Sequence, residues 1–508
     1  MTSGQQLRLY NSLGRRLEDF TPRGASAGTS EVGLYTCGPT VYSFQHLGNM
    51  RPYVFSDTLR RVLRWKGIGA RQVVNITDVG HAVADSDTGE DKLEVAAARE
   101  RRSVEEIAAF YTEDYFDRMA ALNVRPADAY PRASEYVPQM VEFAARLSEK
   151  GYTYELPSGL YFDTSKSPGY GTLALLDLEG QREGARVEQV EGRRNKSDFA
   201  LWRAEEPGSR RVMRWESPWG WGAPGWHLEC SVMSMALLGE HFDIHTGGID
   251  HRELHHVNEI AQSEAYLEDG QPWVRYWLHN EFILLDSEKI AKSAGHTLRL
   301  ADLEEAGYHP LAYRLFLLGG HYRSQLDFTT AAMDAAQATL RRLVSRVAPL
   351  RPLPSVSTLE EARALVPAGD VPSREGGASR EGTAAAEYIS RLDAAACSDL
   401  ATPTILATLQ ESLRDPAVPE AGLRVVVAAA DALLGLRLGD LELREVEGRR
   451  SASDLAADEV ERIERLVAER TQARKEKNWP RADEIRAELD ALGVQLTDTP
   501  SGPLWELR

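Results

Sequence analysis

Apolar runs and their spacing divide the 508-residue chain into blocks of different character. Val32 to Gly38 (VGLYTCG) is a short apolar run ending in Gly-Pro, which predicts a buried strand. His46-Leu47-Gly48-Asn49 follows, and Val54, Phe55 and Leu59 to Leu63 then stand at helical spacing. Arg71 to Gly80 (RQVVNITDVG) predicts a second buried strand with polar residues at its end. Strand, turn, helix, strand opens an α/β doubly wound parallel sheet, whose ligands sit beyond the carboxyl ends of the strands. The polar residues around His46 and Thr77-Asp78 fall at that edge.

From about Gly151 to Gly225 the runs shorten. LYFDTS, DFALWR and the Trp/Gly/Pro-rich SPWGWGAPGW predict a small inserted subdomain of short strands and tight turns. His241 to Gly248 (HFDIHTGG) returns to the sheet, and HHVNEIAQSEAYL begins a helix. After about Leu300 helical patterns dominate. Pro349 to Thr383 carries five prolines, much Gly and Ser and little periodicity, so a flexible linker is expected there. Helices resume at Ala384, and a polar gap near 445–453 precedes a helical tail that closes in a small hairpin. The expected division is 1–150 and 226–300 as two halves of the sheet domain, 151–225 as the insert, 301–348 as a helical region, 349–383 as the linker, 384–445 as a helical bundle and 457–508 as a C-terminal domain.

Composition narrows this picture only a little. No stretch of about 20 apolar residues can span a bilayer, and the N-terminus has no apolar run after its charges, so a cytoplasmic chain without membrane contact is expected. Cys37, Cys230 and Cys397 are odd in number and far apart, which argues against a disulfide framework. The net charge of −18 argues against a nucleic-acid-coating protein, although a local basic surface can still steer a polyanion.

Candidate chemistry collects at the sheet edge. His255 and Glu259, four apart, share one helix face. Joined by Cys37 and Cys230 they form a donor set that suits Zn²⁺. The spacing alone is weak evidence, because no CxxC pair occurs and dispersed Cys and His are usually core or surface residues. Cys397 lies in an Ala-rich segment and reads as core. His46 to Asn49 at a helix start suits phosphate, because Gly48 admits a close backbone and the helix N-terminus offers N–H groups. Lys289 and Lys292, in a polar loop, can neutralise a triphosphate. Each feature has a bland alternative: a turn before a helix, or two solvated lysines.

Taken in order, these pieces resemble the cysteinyl-tRNA synthetase family. H-x-G-N followed by K-x-x-K-S is similar to the HIGH and KMSKS motifs of class I aminoacyl-tRNA synthetases. The words YTCGPTVYSFQHLGNMRP, NITDVGH, GLYFDTSKSPGYG, RNKSDFALWR, PGWHLECSVM, HFDIHTGGIDH, HHVNEIAQSEA and HYRSQLDF narrow the likeness, which runs from about Leu7 to Trp505.

The resemblance implies a Rossmann-like catalytic domain that activates L-cysteine with ATP and passes it to the 3′ end of tRNA(Cys), releasing pyrophosphate and AMP. It implies one Zn²⁺ per chain on Cys37, Cys230, His255 and Glu259, and Mg²⁺ with ATP. Thr77, Trp226 and Asp250 would surround the cysteine. His46, Asn49, Gly247, Gly248, Lys289 and Lys292 would hold ATP, with His46, Asn49 and the two lysines acting in catalysis. Residues 301–348 would contact the tRNA stem. The resemblance continues through residues 457–508 as an anticodon-binding domain. There Arg470, Arg474, Lys475 and Lys477 can contact phosphates and Trp479 and Trp505 can stack bases. Glu461, Glu464, Glu469, Glu476, Asp483 and Glu484 nearly balance the charge and leave an amphipathic packing module open. A monomer is expected.

Three departures stand out: Asn49 replaces the last histidine of HIGH, Ile290-Ala291 replaces Met-Ser in KMSKS, and HRELHH (251–256) stands where an apolar-Pro-His-His stretch is commoner. Two rivals remain. A ligase joining cysteine to an amino sugar would lack the C-terminal domain, and a non-catalytic RNA-binding paralogue would have lost the ATP motifs.

Overall fold

A computed structural model describes residues 4–24, 31–79, 92–174, 192–205, 211–285, 297–367, 384–447, 457–476, 478–492, 494–499 and 502–507. After an N-terminal hairpin, β1 (Arg8–Asn11) and β2 (Arg16–Asp19), the chain enters β3 (Val32–Thr36). It then crosses through α1 (Leu47–Trp65) to β4 (Ala70–Val74), which pairs parallel with β3. Two helices, α2 (Lys92–Glu100) and α3 (Val104–Ala121), and then α4 (Val137–Glu149) lead to the insert.

The insert is a four-stranded antiparallel sheet of β5 (Thr153–Leu156), β6 (Gly159–Phe162), β7 (Phe199–Ala204) and β8 (Gly222–Pro224), paired in that order. Gly225 alone separates β8 from α5 (Trp226–Leu238). A Cβ at Gly225 would meet the Ala200 carbonyl oxygen at 1.9 Å. Only glycine lets the chain pass β7 so closely, and this pins the start of α5.

The chain returns through β9 (Phe242–Gly248), α6 (Ile249–Glu253), α7 (His255–Leu267) and β10 (Val274–Asn280). The central sheet has the order β10-β9-β3-β4, with every pair parallel. From β3 the chain winds first to β4 on one side and later to β9 on the other. The boundary between β3 and β9 is therefore the switch point of a doubly wound sheet, where the ligand crevice of such sheets lies, outside the carboxyl ends of the strands. All seven residues of β9 are buried, as helices on both faces of a central strand require.

β11 (Ile283–Leu285) pairs parallel with β12 (Leu326–Phe328), and helices at Pro310–Leu318 and Thr330–Val347 flank β12. Helices at Ala384–Cys397, Thr402–Ser412 and Glu420–Leu434 form the bundle, and their apolar faces share one core with α1. Buried charges lock this junction. Arg314 Nη2 reaches Asp57 at 2.5 Å and Arg61 Nε reaches the same carboxylate at 2.7 Å, while Arg314 also donates to the carbonyls of Leu122, Asn123 and Leu434.

The expected flexible linker at 349–383 needs correction in its first half. Leu359–Leu365 is a helix with a reciprocal cap between Thr358 and Glu361, and Leu359 and Ala362 are buried in the shared core. The signal was the capping box T-x-x-E, outweighed by the nearby prolines. Residues 368–383 lie outside the described residues.

The C-terminal segment has a core of its own. Helices Ala457–Lys475 and Trp479–Ala491 and the hairpin β13 (Val494–Thr499)–β14 (Gly502–Leu507) enclose Ile463, Leu466, Ile485, Leu489 and Val494. Arg470 is buried there, at 7% exposure, which removes it from the basic surface expected of this region. Trp479 is 56% exposed, and Lys477 lies outside the described residues. No described helix is long and apolar enough to cross a membrane.

Candidate active site and metal centre

Cys37 directly follows β3, and its N–H bonds the Thr246 carbonyl across the switch point at 3.2 Å. Cys230 lies one turn into α5, placed by the close passage at Gly225. His255 and Glu259 lie on the first turns of α7. One donor atom from each of these four buried residues falls within 4.8 Å of the other three. The set expected from sequence is therefore brought together. A second, overlapping set replaces Cys230 and His255 with His245 and His256.

The contacts inside this cluster are short but poorly arranged as hydrogen bonds. Glu259 lies 2.6 Å from His255 Nε2 and 2.8 Å from His245 Nε2. Yet neither carboxylate oxygen, nor either ring nitrogen of His245, has a partner in hydrogen-bond geometry, although all are buried. Buried polar atoms without partners cost free energy, so the arrangement calls for another group. Two thiols, imidazoles and a carboxylate suit a divalent cation that accepts N, S and O donors.

The electrostatics agree. Burial opposes ionisation of Cys37, but the neighbouring Cys230 thiol and the nearby His251 and His245 outweigh it and hold the thiol well below its ordinary value. Cys230, next to Cys37 and itself buried, is pushed well above. Burial also disfavours the charged forms of His255 and Glu259, yet their mutual attraction prevails. His255 rises to about 10 and Glu259 falls below the usual carboxylate range. His256 and His227 are driven down by burial. His227 Nδ1 lies 2.9 Å from His255 Nδ1, and His256 Nε2 lies 3.3 Å from Cys37 Sγ.

Around the cluster, Trp226 lies over His255 with ring centroids 4.3 Å apart. Thr77 is buried just past β4. Its hydroxyl accepts from Asn75 Nδ2 at 2.9 Å and lies 3.4 Å from Glu229 Oε2, a carboxyl that burial pushes well up. Gly247 and Gly248 end β9, and a Cβ at Gly247 would meet His251 Nδ1 at 2.7 Å and His256 Cε1 at 2.8 Å. Asp250 is exposed on α6, next to the site. The variant HRELHH breaks at Leu254 into two helices, and His251 lies 5.3 Å from His255, ring to ring.

The nucleotide motif sits at the start of α1. His46 is the N-cap, its buried Nδ1 has no hydrogen-bond partner, and burial lowers its pKa. Asn49 turns its carbonyl oxygen to the His46 N–H at 3.1 Å, which keeps its amide donors for another partner. The helix offers fewer N–H groups than expected, because Leu47 donates to the Leu298 carbonyl and Asn49 to the His46 carbonyl. Lys289 and Lys292, with Ile290-Ala291, lie outside the described residues. Cys397 is buried, as expected of core.

Sequence reasoning missed His245, His256 and Asn75. Strand alternation could not reveal His245, because both faces of β9 are buried.

Family signatures match in two places: residues 25–338 match the tRNA synthetases class I (C) catalytic domain, and residues 456–503 match the cysteinyl-tRNA ligase anticodon binding domain. The cysteine–tRNA ligase of Novosphingobium aromaticivorans is 46% identical over 508 residues, covering 99% of this chain and 97% of its own. That of Zymomonas mobilis is 43% identical, covering 98% and 97%, and that of Thermus thermophilus 42%, covering 99% of both.

Proposed function

Since the chain belongs to the cysteine–tRNA ligase family of class I synthetases, we propose that the cluster at the β3/β9 crevice is where it selects and activates cysteine. The chain is a ligase that joins cysteine to tRNA at the expense of ATP. The observation that carries the site assignment is the convergence of Cys37, Cys230, His255 and Glu259 at the end of β3, the strand whose chain leads on to the His46–Asn49 turn.

These four residues would hold one Zn²⁺. When bound, the ion supplies a position that a thiol fills far better than a hydroxyl, which separates cysteine from serine. Trp226 covers the site from the α5 side. Thr77 and Asp250 border it, and Asp250 would hold the substrate ammonium group. Gly247 and Gly248, at the end of β9, would lie beside the adenosine. The His46 ring, the Asn49 amide, Lys289 and Lys292, aided by Mg²⁺, would take up charge on the triphosphate as the substrate carboxylate attacks the α-phosphorus and pyrophosphate departs. No enzyme nucleophile takes part. A ribose hydroxyl at the 3′ end of tRNA(Cys) then attacks the cysteinyl adenylate, and AMP leaves.

In this reading residues 301–348 contact the tRNA stem and 457–508 the anticodon, and the enzyme works as a cytoplasmic monomer. Cysteine-dependent ATP–pyrophosphate exchange, followed by charging of total tRNA, tests the reading. Exchange without tRNA charging, together with ligation of cysteine to a small amine, would favour the amino-sugar ligase instead.

A further inference from the structure

Arg51 lies on α1 two residues beyond Asn49 and is 3% exposed. Among the described residues no carboxylate pairs with it. Its guanidinium faces four backbone carbonyls instead. Nη1 donates to Glu281 at 2.8 Å and Phe282 at 2.6 Å, and Nη2 donates to His321 at 3.2 Å and Ser324 at 2.6 Å. A planar fork suits four acceptors drawn from two separate loops, which a lysine ammonium cannot span. Burial lowers the Arg51 pKa to about 10, so it remains a cation at neutral pH.

The placement of those loops gives the contact meaning. Glu281 and Phe282 join β10 to β11, immediately before the stretch that carries Lys289 and Lys292. The chain returning from that stretch also docks on α1: Leu47 N–H donates to the Leu298 carbonyl at 2.9 Å, and His46 bridges Arg299. Both the entry and the exit are thus tied to the first two turns of the helix that begins at His46.

The 321–324 turn is braced from its far side by Asp399. Its carboxylate accepts from Tyr322 Oη and Arg323 Nε, each at 2.7 Å, and its carbonyl lies 2.9 Å from His321 Nε2. Asp399 and Leu400 hold positive φ values of 52° and 57°. A side chain held in that region strains the backbone and persists only where its surroundings over-determine it.

We propose that Arg51 is a positioning residue for the nucleotide site, one that sets the spacing between the His46–Asn49 turn and the chain entering the two-lysine segment. This rests on the reading of His46, Asn49, Lys289 and Lys292 as the ATP-binding set. A misplacement on the order of 1 Å in such a set costs about 100-fold in rate. Because Arg51 touches neither the metal cluster nor its neighbours, cysteine recognition should not feel its loss.

The test uses full-length Arg51→Ala and Arg51→Lys in cysteine-dependent pyrophosphate exchange, with ATP and cysteine varied separately. The expected result is a fall in kcat of about 100-fold for Arg51→Ala, a rise in the KM for ATP, and an unchanged KM for cysteine. Added methylguanidinium should restore part of the Arg51→Ala rate, whereas methylammonium should not. Arg51→Lys should show the same split to a smaller degree, and it decides alone if Arg51→Ala does not fold. The inference is overturned if either variant keeps kcat within about twofold, or if both substrates are affected equally in step with the unfolded fraction. Wild-type protein without any exchange activity would sink the ATP-site reading itself, a distinct outcome.

Discussion

Two buried polar clusters, about equally deep, are satisfied in opposite ways. At the junction of catalytic domain and bundle, Asp57 receives Arg61 and Arg314, its other oxygen accepts the Arg125 N–H, and Arg314 Nε and Nη1 donate to three carbonyls. At the β3/β9 crevice, Glu259 and His245 lie close to donors and acceptors but in poor alignment, and four of their atoms have no hydrogen-bond partner. A network closed on itself specifies and rigidifies a junction. One left open in a buried place invites a ligand, and its donor types name a soft cation. Burial alone therefore does not separate the two clusters; the state of their hydrogen bonding does.

The comparison breaks most readily at the closed cluster. Asp57→Ala leaves two arginines buried without their anion, and removing one partner of such a set costs about 3–5 kcal/mol. Chemical denaturation should show that loss, while the exchange rate per folded molecule stays unchanged. A change in kinetics without a change in stability would place Asp57 in the wrong class.

Next comes the open cluster, where the pattern should invert. Cys230→Ser should reduce cysteine activation by about 100-fold or more, beyond the 10–100-fold typical of groups that merely support metal ligands. Its thermal midpoint should shift little. If the variant keeps its preference for cysteine over serine, the cluster does not carry selectivity.

A third cut removes neither cluster. The C-terminal helices and hairpin enclose their own core, so a chain ending near Ser453 should keep cysteine-dependent exchange. Loss of stacking on even one base is worth about 1–3 kcal/mol, so tRNA charging should fall by about tenfold or more. Intact charging would make the tail structural only.

The smallest effect is on pH dependence. Burial pushes Asp57 up, but Arg314 and Arg61 more than offset it and hold the carboxyl at about 2, below its ordinary 3.8. A depressed folded-state value means that its stabilisation is present above about pH 4 and is lost as pH falls toward 2. Asp57→Asn should flatten the stability curve within that window. An unchanged slope would show that the carboxylate is not held by the two arginines.

Much of this was legible in the chain. β3, β4 and β9 were visible as apolar runs of strand length, and the i, i+4 pair His255/Glu259 placed two donors on one helix face. Cys37 and Cys230 were harder, since 193 positions separate them and only the winding of the sheet brings them together. His245 was hidden because a strand buried on both faces loses its alternation. The helix at Leu359–Leu365 was obscured by flanking prolines despite its T-x-x-E cap. Arg470 reads as a surface cation because charge suggests exposure, whereas its long side chain is buried in the C-terminal segment.

The account turns on whether the open cluster takes up a cation that reads the substrate thiol. The most direct measurement replaces the native metal with Co²⁺ and titrates the protein with cysteine and, separately, with serine, following absorption. One cobalt per chain should bind, with thiolate-to-metal charge-transfer bands from the two protein cysteines. Cysteine should add intensity to those bands saturably, and serine should add none. Failure to bind stoichiometric metal, or identical spectra with the two amino acids, would contradict the assignment.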